Sequence, residues 1–478
     1  MSNHQTFTKL EIVLEEIRDR WEIPGMAVGI VDEGKIAYAQ GFGVQSLQTL
    51  TPVTTDSIFC LASIAKCFVA CAVLQLIEQG RLALDGTINE YLPYFSLDDE
   101  RYLQISLRQI LSHTSGMPDM DEIEYDELVA HPEYDEGAAE RYVRNLSKRK
   151  MVAAPGERFA YSNIAYNVLG DIIAKVSGLT FESYMKENIL NPSGMPNSTF
   201  YYPEVPYERI AVPHLRAPGM VVNPVYPYHR ADAPSSFLHS TVVEMCHWAI
   251  TSLNQGVYDE KRILNPASYD LMWRPVAERG FPPWREEMGL GWSLGHFDGK
   301  RVVGHGGGGF GWTCLLTLFP ESKQAVIVLS NEESSAHERV MEAALYSLFG
   351  KEPQVGTISW MIPIAKALQK GGIREAYDRL EQIKENTVYD LDAGELNSLY
   401  FQLMSAKKYD MAEDVLNLNL HVFPDNLGLY LFSAKKHLIR NEQEQAKAVL
   451  HRALEISPGN QTVISMLRTI EVENGGMG

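Results

Sequence analysis

Leu10, Val13, Leu14 and Ile17 recur at the spacing of one helix face, which predicts a helix over residues 8–20. The pattern then shifts to period two. Ala27–Val31 and Ile36–Phe42 read as strands, joined by Asp32-Glu33-Gly34 as a hairpin turn. The run from Cys60 to Ala70 is strongly apolar and opens a long helix from about Ser63 to Gly80. Residues 90–290 are mixed and loop-rich. Strand patterns return at Leu294–Phe297, Trp312–Phe319 and Ala325–Ser330, and a helix over Ala336–Leu348 follows. Early and late strands separated by a helical insert predict an α/β sandwich with one sheet built from both ends of the region. The cleft between sheet and inserted lobe is the natural place for a site.

After Gly350 the strand patterns vanish and helical periodicity dominates. Pro424 and Pro458, Ala412 and Ala446, and Leu416 and Leu450 are each 34 residues apart. That is the tetratricopeptide period, although the tryptophan and glycine positions of such repeats are poorly matched. An earlier unit near Ala376 fits with a slightly longer spacing. Two domains are therefore expected, residues 1–352 and an all-α helical-repeat tail over 353–478.

Composition narrows the chemistry. The chain has 478 residues and is 45% apolar and 22% charged, ordinary for a globular protein. A net charge of -19 disfavours nucleic acid and anionic lipid as partners. The five cysteines, Cys60, Cys67, Cys71, Cys246 and Cys314, form no Cys-x-x-Cys pair and no zinc-like spacing, so neither a metal nor an organic cofactor is expected. The odd count suits a reducing compartment. With no signal-peptide core at the N-terminus and no apolar run of about 18 residues, the expectation is a cytoplasmic protein.

Ser-x-x-Lys occurs five times, at Ser63/Lys66, Ser147/Lys150, Ser183/Lys186, Ser405/Lys408 and Ser433/Lys436. Only Ser63 opens a strongly apolar helix. Residues three apart share a helix face, so Lys66 can touch the Ser63 hydroxyl. Burial lowers a lysine's pKa, and moving it from about 10.4 to about 7 costs roughly 4 to 5 kcal/mol, a cost tolerated for function more than for packing. Tyr161-Ser162-Asn163 is the single Tyr-x-Asn in the chain. A phenol beside a lysine can be held partly deprotonated as a general base, and the Asn163 amide can hold a substrate carbonyl. His305-Gly306-Gly307-Gly308-Gly309 follows a strand-like segment, where glycines let a substrate backbone lie along a sheet edge. The run lacks the Gly-Lys-Ser/Thr ending of a phosphate loop.

Ser63-Ile64-Ala65-Lys66, Tyr161-Ser162-Asn163 and His305-Gly306-Gly307 together resemble the three motifs of class C β-lactamases. D-alanyl-D-alanine carboxypeptidases, D-aminopeptidases and related esterases share them. Order and spacing match, with 98 residues from Ser63 to Tyr161 and 144 from Tyr161 to His305. The resemblance covers roughly residues 7–350 and is supported by Leu111-Ser112-His113-Thr114-Ser115-Gly116 and Gly289-Leu290-Gly291-Trp292. It implies a β-lactamase/penicillin-binding-protein-like sandwich with an antiparallel sheet and inserted helical lobe. It implies that Ser63 is acylated, that Lys66 and Tyr161 move protons, and that Asn163, His305, Gly306, Gly307 and Gly308 bind substrate. The amides of Ser63 and Gly308 would form the oxyanion hole, with His113 structural.

Two departures stand out. His305 replaces the lysine of typical β-lactamases and is mostly neutral at pH 7. Ser235-Ser236 stands where relatives are glycine-rich. The expected function is a serine hydrolase for a small ester or short peptide, ahead of a β-lactamase. The reading of a different class is a non-catalytic binding protein. The repeat tail would bind a protein partner or mediate self-association.

Overall fold

A computed structural model describes residues 3–470 apart from 121–123, 125–127, 281–284, 335, 441, 461–462, 465 and 469. The chain divides into two compact units. One comprises residues 1–214 and 222–356, the other 215–221 and 357–478. The division falls at Thr357 rather than at residue 353, and the short segment Leu215–Val221 groups with the C-terminal helices.

The first unit is built on an eight-stranded sheet. Its strands are β1 (Gly25–Asp32), β2 (Lys35–Gly43), β3 (Ala277–Glu278), β4 (Glu287–Met288), β5 (Ser293–Phe297), β6 (Lys300–Gly309), β7 (Trp312–Phe319) and β8 (Gln324–Ser330). Their order is β2-β1-β8-β7-β6-β5-β4-β3, and every pairing is antiparallel. The N-terminal hairpin thus pairs with the last strand, Met26 opposite Ser330, which closes the sheet from both chain ends. β3 and β4 lie inside the segment expected to be a helical insert, and they extend the sheet instead. They are two residues each, too short to leave a periodic signal.

The helices explain why the central strands are continuously apolar. α1 (Asn3–Trp21) and α5 (Ala336–Leu348) cover one face of the sheet, and α4 (Val242–Leu253) covers the other. Every residue of β7, and all but the edges of β1 and β8, is buried. Strands covered on both faces lose the alternation of a half-exposed sheet. Behind α4 lie α2 (Ala65–Glu78) and α3 (Asn163–Ser177), which pack against each other. Eleven of the fourteen residues of α2 are buried, so it is a core helix with one polar exception, Lys66. All five cysteines are free and buried. Among the described residues no helix is long and apolar enough to cross a membrane, and no group of three or more His, Cys, Asp or Glu side chains could hold a metal.

The second unit is all helical. α6 (Met361–Ile383) is broken at Gly371 and Gly372, whose backbone is non-helical. α7 (Ala393–Ser405) and α8 (Tyr409–Val422) form one hairpin, α9 (Leu427–Ile439) and α10 (Gln443–Ile456) a second. Corresponding helices start 34 residues apart (427 − 393 and 443 − 409), so the spacing seen in the sequence is a structural repeat. Ala412 and Ala446 are both fully buried, as small residues between paired helices must be.

The core of the first unit is anchored where Phe68 of α2 stacks on Trp248 of α4, ring centroids 3.8 Å apart. Both rings are completely buried. Trp248→Ala is expected to cost about 3–5 kcal/mol, because the hole cannot be refilled from the closely packed surroundings. Denaturant unfolding followed through the first unit's tryptophan fluorescence measures it.

Candidate active site

Ser63 lies in a single 3-10 turn, Ala62–Ile64, immediately before α2. Lys66 follows in the first turn of α2, so the two side chains fall on one face. Lys66 Nζ is 3.0 Å from Ser63 Oγ, 2.7 Å from Asn163 Oδ1 and 2.7 Å from the Ser235 main-chain oxygen. The lysine is fully buried, and burial pulls its pKa down to about 7. Its three partners are not equivalent. The amide and peptide oxygens can only accept, whereas the serine hydroxyl can also donate. A neutral lysine has two N–H bonds and one lone pair. The N–H bonds satisfy Asn163 and Ser235, which leaves the lone pair facing Ser63 O–H.

Asn163 is placed by the start of α3. The Ser162 side chain caps the helix by accepting from Ala165 N, and donates to Pro118 O at 2.7 Å. This ties α3 to the loop that carries His113 and Asp119. Asp119 accepts from Asn163 N at 2.8 Å and from Asn163 Nδ2 at 3.1 Å. The second contact sets the orientation of the amide, turning Oδ1 toward Lys66. Burial raises the Asp119 pKa against these hydrogen bonds.

Tyr161 stacks on His113, ring centroids 4.1 Å apart, and Lys66 Nζ stands 5.0 Å from the Tyr161 ring centre. His113 accepts from Ser162 N at 3.2 Å through Nδ1. Burial foremost holds this imidazole neutral, with its ring against that of Tyr161. The sequence suggested a partly ionised phenol. Burial pushes the Tyr161 phenol well above its usual range, opposed by hydrogen bonding with Ser63. That direction favours a phenol that keeps its proton in the resting site.

The third wall is the end of β6. His305, Gly306, Gly307 and Gly308 pair with Leu316, Leu315, Cys314 and Thr313 of β7. Strand β6 passes so close to the nucleophile's turn that a Cβ on Gly307 would lie 2.2 Å from Leu61 O and 3.1 Å from Ser63 N. His305 Nδ1 donates to Gly306 O at 2.6 Å. This leaves Nε2 as a buried acceptor without a partner. Burial lowers the His305 pKa to about 3, so the imidazole is neutral throughout the physiological range.

All the motif residues thus meet in one place. Sequence reasoning missed Asp119, the Ser235 carbonyl, Asn167, Asp232 and two arginines. Asn163 and Asn167 four apart on α3 were a readable signal. Ser235 contributes a main-chain oxygen, which explains why a departure in side chain there leaves the lysine's partner intact. Arg279, at the end of β3, lies near Tyr161 with its guanidinium 5.5 Å from the Phe159 ring centre. Arg285 pairs with Glu338 at 2.6 Å and borders a small pocket with His305 and Gly304.

A family described as Beta-lactamase matches residues 13–351. Protein flp of Staphylococcus aureus (strain MW2) is 24% identical over 335 residues, 70% of this chain and 65% of the relative, so the match spans about two thirds of that longer protein. Penicillin-binding protein 4 of Amycolatopsis lactamdurans is 27% identical over 66% of this chain and 83% of its own length. Among solved structures, the octameric penicillin-binding protein homologue from Pyrococcus abyssi superposes with a TM-score of 0.64 at 28% identity, covering 76% of this chain and 80% of that one.

Gly307→Ala tests the closeness of β6 to the nucleophile. The new Cβ would meet backbone, which cannot move aside, and would push the strand's amides away from the reacting carbonyl. The expected result is a fall in kcat of about 10²–10³, the loss that follows removal of one oxyanion donor, measured on any ester that the wild type turns over.

Proposed function

We infer that this chain, which belongs to the Beta-lactamase family, hydrolyses a small ester or a short peptide through an acyl-enzyme on Ser63. The observation that carries this reading is the contact of Lys66 with Ser63, in which the lysine's other two partners can only accept. Neutral Lys66 takes the Ser63 proton as Oγ attacks the substrate carbonyl. The amides of Ser63 and Gly308 stabilise the developing oxyanion. Protonated Tyr161 then delivers its proton to the leaving group, and Lys66 restores it. Water repeats the sequence to release the acid. Asn163 and the end of β6, where Gly306 and Gly307 lie beyond the pairing with β5, hold the substrate's own carbonyl and backbone.

Neutral His305 favours an ester or amide whose recognition does not depend on a cation in the third motif. The penicillin-binding relatives and the nearby Arg279 support the second reading, a β-lactamase or a peptidase for substrates that bear a carboxylate. The non-catalytic alternative requires an unreactive Ser63, and the neutral lysine beside it argues against that. For residues 357–478 the repeated hairpins support a role in binding a protein partner or a second copy of the chain. The five free thiols support a reducing, cytoplasmic setting.

A panel of p-nitrophenyl esters, D- and L-aminoacyl amides and a chromogenic cephalosporin, run beside Ser63→Ala, tests the reading. At least one ester or amide should be hydrolysed, with the activity lost in Ser63→Ala and a serine-directed probe mapped to Ser63. Unchanged turnover in Ser63→Ala, or no adduct on folded protein, would reject it.

A further inference from the structure

One turn along α3 from Asn163, Asn167 faces a second buried acid. Asn167 Nδ2 donates to Asp232 Oδ1 at 2.5 Å and to the Tyr142 hydroxyl at 3.4 Å. The other oxygen of each partner, Asn167 Oδ1 and Asp232 Oδ2, is buried and has no hydrogen-bond partner among the described residues. An amide oxygen and a carboxylate oxygen are both acceptors, so neither can satisfy the other. Exchanging the amide's nitrogen and oxygen only moves the conflict to Oδ1. One proton on Asp232 removes it in either orientation.

We propose that Asp232 is a protonated carboxylic acid, paired with the Asn167 amide through two hydrogen bonds, and that it is a positioning residue for Lys66. Its place in the fold supports this. Asp232 immediately precedes the helical turn Ala233–Ser236, and its main-chain oxygen accepts from Ser235 Oγ at 3.1 Å. The same turn presents the Ser235 carbonyl to Lys66. Gly170 of α3 lets the turn sit this close, since a Cβ there would lie 2.2 Å from Pro234 Cγ. Locking Asp232 to α3 therefore locks the lysine's third partner.

The titratable groups facing Asp232 are Lys66 from α2, Asp119 from the loop before α3 and Tyr142 from the helix Ala138–Asn145. Burial outweighs them and raises the Asp232 pKa to about 7. Between about 4 and 7 the folded protein then holds a proton that the unfolded chain releases, so stability falls as pH rises through that window. Asp232→Asn keeps both hydrogen bonds and cannot ionise.

Three measurements follow, of which the first two do not depend on the proposed hydrolysis. Burial also raises Glu333 to about 7, so the wild-type minus Asp232→Asn infrared difference spectrum is the readout: it should contain a protonated carboxyl stretch at pH 6 that fades on titration through pH 7. Asp232→Asn should melt with wild type near pH 4 and increasingly above it toward pH 7. Resting on the hydrolase reading, folded Asp232→Ala, which cannot bridge to Asn167, should lose kcat about tenfold or more relative to Asp232→Asn at pH 7. No carboxyl band in the pH 6 difference spectrum, or folded Asp232→Asn that melts below wild type at pH 7, would show an ionised Asp232 instead, and equal kcat for the Ala and Asn variants would remove the positioning role. A missing Ser63 adduct with the infrared band present would reject the hydrolase reading alone.

Discussion

A single buried amine organises the site. Lys66 has no access to water, so each of its hydrogens must find an acceptor inside the protein. Asn163 and Ser235 supply two, and both are oxygens that cannot return a proton. The third contact is the versatile one: the Ser63 hydroxyl accepts from the protonated lysine and can donate to the neutral one. Serine activation follows from which partners are able to donate, more than from the 3.0 Å distance itself.

Three separate elements must hold still for that arrangement. α2 fixes the serine and lysine one helical turn apart. α3 supplies Asn163, with Asp119 turning its amide the right way. The turn Ala233–Ser236 supplies a bare carbonyl. Each is seated in the main hydrophobic core, where a shift of one side chain is felt by its neighbours. The sheet's contribution is proximity: β6 can lie against the nucleophile's turn only because glycine stands at Gly307.

The sequence carried the local part of this plainly. Helix boundaries, the hairpin and the long strands followed from periodicity, and Ser63, Lys66, Tyr161, Asn163 and the His305 glycine run all converge as their motifs implied. What could not be read is long-range. The Ser235 carbonyl is main chain and has no signature. Asp119 and Asp232 gain their roles from partners 44 and 65 residues away, Asn163 and Asn167. The direction in which the Tyr161 phenol shifts depends on burial depth, which composition does not give. The strands β3 and β4, with Arg279 beside them, were hidden by their brevity. In the tail the opposite held, because a repeat prints its period directly onto the chain.

The central claim is that Lys66 is the base for Ser63. The pH dependence of Ser63 acylation by an activated ester, followed as the pre-steady-state burst, tests it most directly. A lysine lowered to about 7 is neutral above that pH and protonated below it. The acylation rate should therefore be level at high pH and fall tenfold per unit below a midpoint near 7. A rate that is flat from pH 5 to 9, or that climbs only toward the ordinary lysine value of about 10.4, would contradict it.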